Sequence, residues 1–242
     1  LTGGLLSNIA LLGFFKYGGT LGLDGVLLPL GLSFFTFQGM GYLIDTYRGD
    51  EVRPGLLEFA VFMAFWPTLL SGPITRADEM IQQFRSGRRA SWDDVAVGTR
   101  RIFTGLFMKM IVADTLADGI RVGEGVTFGF DRLTGGWSGI DVWFLALGYG
   151  LQLYFDFAGY SHVAIGSARL LGIRVRENFD HPYLAESPAA FWSRWHMSLS
   201  QWVRDYLFFP VAAAWPTTAG RYLAVIVSML VIGVWHGVGW TF

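Results

Sequence analysis

Residues 222–240, YLAVIVSMLVIGVWHGVGW, form one unbroken apolar run. At about 1.5 Å per residue, such a run matches a hydrocarbon core of about 30 Å. Lipid offers no hydrogen bonds, so a spanning segment must satisfy its backbone internally, as a helix or a closed barrel. Further apolar stretches lie along the rest of the chain. Of its 242 residues 52% are hydrophobic and only 15% charged, against about 25% charged in soluble domains. The apolar residues come in runs rather than alternating with charge. The chain therefore reads as an all-α, polytopic integral membrane protein.

The formal net charge of −1 argues against a nucleic-acid partner. The absence of cysteine excludes a disulfide framework, a thiolate metal site and a cysteine acyl-enzyme. The chain begins at Leu1 without methionine and ends at Phe242 inside an apolar pattern. It reads as a fragment of a longer polytopic protein: one transmembrane domain over 1–242, truncated at both ends, with no signal peptide.

Along the chain, residues 5–17, 22–44 and 56–73 are candidate spans. Asp24 and Pro29 interrupt the second, and Pro67 kinks the third. Residues 74–101 hold Arg76, Arg85, Arg88, Arg89, Arg100 and Arg101. Clustered arginine beside spanning segments marks a cytoplasmic side. Ser91 before Asp93 and Asp94 reads as a helix start. Residues 102–118 are apolar but short, and 119–138 form a Gly-rich loop. Residues 140–172 exceed one bilayer crossing, so two helices meeting near Gly159 are expected. Residues 173–187 form a polar loop. There is no internal repeat.

Residues 188–210, PAAFWSRWHMSLSQWVRDYLFFP, read as one amphipathic helix. Ser187 caps its start, Pro188 takes the first position and Pro210 ends it. Arg194, Ser198, Gln201 and Asp205 share one stripe; Trp192, Leu199, Val203 and Leu207 share the opposite one, with His196 among them. A packed, hydrogen-bonded histidine and a functional one both fit that place. His236 lies deep in the last apolar run, beside the face shared by Gly233 and Gly237 and flanked by Trp235 and Trp240. An imidazole there needs a partner on another helix or a wet cavity, which points to function. Asp156, in YFDFAGYS, is expected to pair with an arginine or a histidine. Asn178 and Tyr183 fall in a dense polar-aromatic turn, ENFDHPY, that could pack structurally. His162 and His181 sit nearer polar loops, and Lys109 and Asp114 are expected to snorkel.

Three stretches together carry a family resemblance: YFDFAGYSHVAIGSARLLGI, ENFDHPYLAESPAAFWSRWHMSLSQWVRDYLFFP and GVWHGVGW. They resemble the membrane-bound O-acyltransferases, in the bacterial branch of alginate O-acetylation and DltB-like D-alanyl transfer. FWPTLLSGPITRADEM is similar to an earlier motif of that branch. The resemblance covers roughly residues 30–242. It implies tilted and re-entrant helices around a central channel, in the cytoplasmic (inner) membrane, where a cytoplasmic acyl donor meets an acceptor from the other face. The near-invariant family histidine corresponds to His236, and a second polar position to His196. His162 departs from the aspartate common after GYS, and VAAAWPTTAGR replaces a glycine-rich segment.

An alcohol is a poor nucleophile at neutral pH, and a general base at its hydroxyl contributes about 10²–10⁴-fold. His236 is the expected base. His196 would orient a substrate or polarise the thioester carbonyl. Candidate substrate-binding residues are Asp156, Asn178, Trp195, Trp235 and Arg204. No metal and no bound cofactor are expected; the co-substrate is an acyl thioester, acetyl-CoA or an acyl carrier protein. Expected partners are the lipid bilayer, a polysaccharide or other cell-envelope polymer, and an extracytoplasmic acetyltransferase. Two rival readings stay open: a transporter or channel using Asp156, His196 and His236 as a proton or ion path, and a non-catalytic scaffold.

Overall fold

The computed structural model describes residues 1–23, 25, 27–49, 52–120 and 137–237, and among these every regular element is helical. Asp24, Trp240 and nearly all of the 119–138 loop lie outside the described residues. The chain divides into two compact units, one of residues 1–87 with 176–242, the other of residues 88–175.

The unit of residues 88–175 is a helical hairpin. Helix α6 (Trp92–Leu106) starts where the sequence predicts, with the Ser91 hydroxyl accepting from the Asp94 N–H at 3.1 Å. It runs through a π-wound segment, Phe107–Ala113, into α7 (Asp114–Ile120). Buried Asp94 also pairs with Arg88 at 2.5 Å and Arg169 at 3.0 Å, tying both helices at this end. The return helix α8 (Gly139–Leu170) is continuous over 32 residues, which corrects the expected break near Gly159. Its glycines admit a neighbour instead of ending the helix. A Cβ on Gly105 would sit 2.4 Å from the Gly159 carbonyl oxygen, and one on Gly166 2.6 Å from that of Gly98. Two backbones thus touch twice, at seven-residue spacing, as small residues permit.

In the other unit α1 (Thr2–Tyr17) and α2 (Leu32–Arg48) pack together. The second expected span therefore begins ten residues late, beyond Pro29. The third is also divided: α3 (Leu56–Met63) stops before Phe65, and Pro67 enters the first turn of α4 (Trp66–Leu69), where a missing N–H is tolerated. Helix α5 (Ala77–Ser86) follows.

The expected amphipathic helix is broken. Ser187 caps α9 (Pro188–Trp192) through the Ala190 N–H at 3.1 Å, as predicted, but α9 ends within two turns. The chain restarts as α10 (Met197–Val203), turns π-wound over Arg204–Phe208, and goes on as α11 (Phe209–Ala214). Pro210 does not end it. The wide turn before it places Pro210 at the head of the next α-wound segment, where it withholds no needed donor. The predicted stripe joining Arg194 to Ser198, Gln201 and Asp205 therefore spans a break and a change of winding.

Helix α12 (Thr218–His236) is, among the described residues, the one helix long and apolar enough by itself to cross a membrane. The core of this unit gathers Phe37, Met40, Ile74, Leu199, Trp202 and Tyr206, with Trp235 packed on it. Trp202 donates its indole N–H to the Phe37 carbonyl at 3.0 Å, fixing α10 to α2.

Candidate active site

His196 sits at the break. Its backbone is left-handed (φ 41°, ψ 54°), which strains a residue carrying a Cβ. The preceding loop over-determines this geometry. Asn178, fully buried, accepts from the Met197 N–H on its carbonyl at 2.9 Å. Its side-chain oxygen accepts from the Ser198 hydroxyl at 2.7 Å and from the Ser198 N–H at 3.3 Å. The Asp180 N–H donates to the Arg194 carbonyl at 3.0 Å, and the Ile74 N–H to the Ser198 hydroxyl at 2.9 Å. These bonds take the groups a continuous helix would have used, and they bury the His196 side chain to 3% exposure. The polar-aromatic turn thus does pack structurally, and its packing sets a histidine.

His236 ends α12. The carbonyls of its last turn are capped from α1: the Tyr17 hydroxyl donates to Val234, and the Lys16 ammonium donates to Trp235. A cation at a helix C-terminus is favoured by the helix dipole as well as by the bond. Lys16 also lies 4.8 Å over the Trp235 ring, while Trp235 packs edge-on against Phe37 at 5.4 Å. Trp235, next to His236, packs on the core that holds Leu199, Trp202 and Val203 of α10. The end of α12 that carries His236 is therefore packed against the helix that starts at His196, 40 positions away, one histidine held by a loop and one by a helix end.

A cavity of about 150 Å³ lies between α10 and α12. Its lining includes Ser200, one turn after His196, and Ile232, one turn before His236. Trp192, Phe208 and Arg204 line it and a neighbouring hollow of about 440 Å³.

The remaining candidates divide. Trp195 stacks on Phe191 at 5.6 Å and meets Phe179 edge-on at 5.1 Å, so it braces the loop beside His196. Arg204 is exposed, paired with Asp205 at 2.8 Å. Asp156 belongs to the other unit, on α8. Its partner is Lys109 at 2.7 Å, not an arginine or histidine, and Lys109 also holds Asp114 at 2.6 Å. Lys109 thus bridges two carboxylates.

The family model of the membrane-bound O-acyltransferases (MBOAT) matches residues 32–242. The chain belongs to this family. MBOAT relatives include a probable alginate O-acetylase AlgI of Azotobacter vinelandii, 39% identical over 100% of this chain and 50% of the relative. A peptidoglycan O-acetyltransferase of Helicobacter pylori is 34% identical over 99% of this chain and 51% of its own length. A teichoic acid D-alanyltransferase of Streptococcus thermophilus is 32% identical over 90% and 54%. The chain spans about half the length of these curated relatives.

Two features of this candidate site were missed from sequence. Lys16 carries the only charge in the first 23 residues, a signal that was available in an apolar helix. The second feature is a polar cluster: Arg76 pairs with Asp205 at 2.5 Å and donates to the Tyr206 hydroxyl at 2.8 Å, while that hydroxyl donates to Asp45. It locks the turn after α10 to α2 and to the loop before α5.

Proposed function

We propose that the protein is a membrane O-acyltransferase of the bacterial envelope. It moves an acyl group, acetyl by preference, from a cytoplasmic thioester donor to a hydroxyl of an extracytoplasmic polysaccharide or a partner protein. The single observation that carries this reading is that the helix end bearing His236 packs on the core of the helix that starts at His196, with a cavity between α10 and α12, in a chain of the MBOAT family. His236 acts as general base on the acceptor hydroxyl, and His196 orients substrate or polarises the acyl carbonyl. Asn178 and Trp195 support His196; Trp235 and Arg204 line the approach of the donor. The chain acts as a transmembrane domain, multi-pass in the inner membrane, where donor meets acceptor. The donor is acetyl-CoA or an acylated carrier protein, and an extracytoplasmic acetyltransferase is a candidate partner.

The test uses membranes carrying the full-length parent protein, supplied with labelled acetyl-CoA or labelled acyl carrier protein. Alginate, peptidoglycan and teichoic acid are offered as acceptors. Donor-dependent labelling of one acceptor is expected. Solute flux without labelling of any acceptor would replace the enzyme by a transporter.

A further inference from the structure

Attack on a thioester carbonyl turns its oxygen into an oxyanion, and the largest catalytic term in such reactions is usually a charge or donor placed for it. His236 as base does not supply that. Lys16 has the properties required. It is a partly buried cation whose hydrogen bond goes to the neutral Trp235 carbonyl, and no carboxylate partners it among the described residues. Two other partly buried cations of this unit, by contrast, are paired: Arg76 with Asp205 and Arg176 with Glu79. An unpaired charge away from water is costly to keep. Lys16 is held at the turn that carries His236, by the carbonyl of the preceding residue and by the face of its ring. An ammonium has three donors, so two remain for another acceptor.

We propose that Lys16 is the oxyanion-stabilising catalytic residue of the transfer. This rests on the acyltransferase reading above. The acceptor oxygen gives its proton to the His236 imidazole and forms a bond to the acyl carbon. The carbonyl electron pair moves onto oxygen, facing the Lys16 ammonium. The pair then returns, the carbon–sulfur bond breaks, and the thiolate leaves with the proton held by the imidazolium. Atoms and charge balance without a further reactant.

The experiment uses the full-length protein in membranes, with rates taken per folded molecule. Lys16→Gln keeps a donor for the Trp235 carbonyl and removes the charge; Lys16→Arg keeps both. Tyr17→Phe removes the neighbouring cap of the same helix end and serves as the structural control. Lys16→Gln should lower kcat about 10²–10³-fold with KM for the donor nearly unchanged. Lys16→Arg should recover most of that rate, and Tyr17→Phe should stay near the parent. A Lys16→Gln variant with parental kcat, or a loss seen only in KM, overturns the assignment. An equal loss in Tyr17→Phe also overturns it, by tracing the effect to the helix end. His236→Gln is measured alongside. If it is fully active, the acyl-transfer mechanism itself falls; if it is inactive beside an active Lys16→Gln, only the role of Lys16 falls.

Discussion

Asn178→Ala isolates the loop that sets His196. The wild-type side-chain oxygen accepts from the Ser198 hydroxyl at 2.7 Å and, more weakly, from the Ser198 N–H at 3.3 Å. Both Asn178 and Ser198 are buried, so water does not replace the lost acceptor. A buried donor left without its acceptor costs about 1–3 kcal/mol. Truncating a fully buried side chain adds a cavity cost, for a total of about 2–4 kcal/mol. Part of this loss should appear as slack in the His196 backbone, which is left-handed only because the loop holds it. A displacement of about 1 Å in a catalytic group lowers rates about 10²-fold. The assay is a double-mutant cycle of Asn178→Ala and Ser198→Ala, read by unfolding midpoint in detergent and by single-turnover acyl transfer. A coupling of about 1–2 kcal/mol is expected for neighbours in one network. Additive effects, or a parental rate in Asn178→Ala, would refute the claim that this bond positions His196.

Other outcomes follow from the same geometry. His196→Asn should fold like the parent yet lose transfer, because asparagine tolerates the left-handed region; His196→Val should also lose folded yield, since a β-branched residue does not. Gly105→Ala should destabilise the helical hairpin by about 1–3 kcal/mol through overpacking, because its Cβ would meet the Gly159 carbonyl at 2.4 Å. Gly119→Ala, with nothing within 4 Å, should be neutral or stabilising by up to about 1 kcal/mol in the same thermal melt. Donation from the Ser91 N–H and hydroxyl, then from Arg88, holds the Asp94 carboxyl well below its ordinary 3.8. Its stabilisation is therefore complete above that ordinary value and is lost as pH falls from there toward the depressed folded value. An acid titration of hairpin unfolding should show this loss in the parent, and Asp94→Asn should remove that part of the pH dependence while lowering stability at neutral pH.

Much of the helix grammar was legible because it is local. Ser91 and Ser187 cap the helices their neighbours predict, and the apolar run of residues 222–240 is helical through His236. Both histidines stood out because an ionisable group in an apolar setting demands a reason. The misreadings are all non-local. The pattern of residues 188–210 fits a helix, yet Asn178 and Asp180 take the backbone groups at 194–198. Gly159 reads equally as a break or as a place of close approach, and only Gly105 on the opposing helix decides between them. Lys16 meets Trp235 across 219 positions, a separation no periodicity reports. The partner of Asp156 was equally hidden, since Lys109 reaches it from another helix of the hairpin.

The central claim is that His236 is the base of an acyl transfer. Its most direct test is the single-turnover rate of His236→Gln in the full-length protein, with labelled donor and the acceptor it modifies. Glutamine keeps hydrogen-bonding capacity at the end of α12 but cannot take the proton. The account predicts a rate lower by about 10²–10⁴-fold, with donor binding retained. A His236→Gln protein that transfers at the parental rate would contradict it.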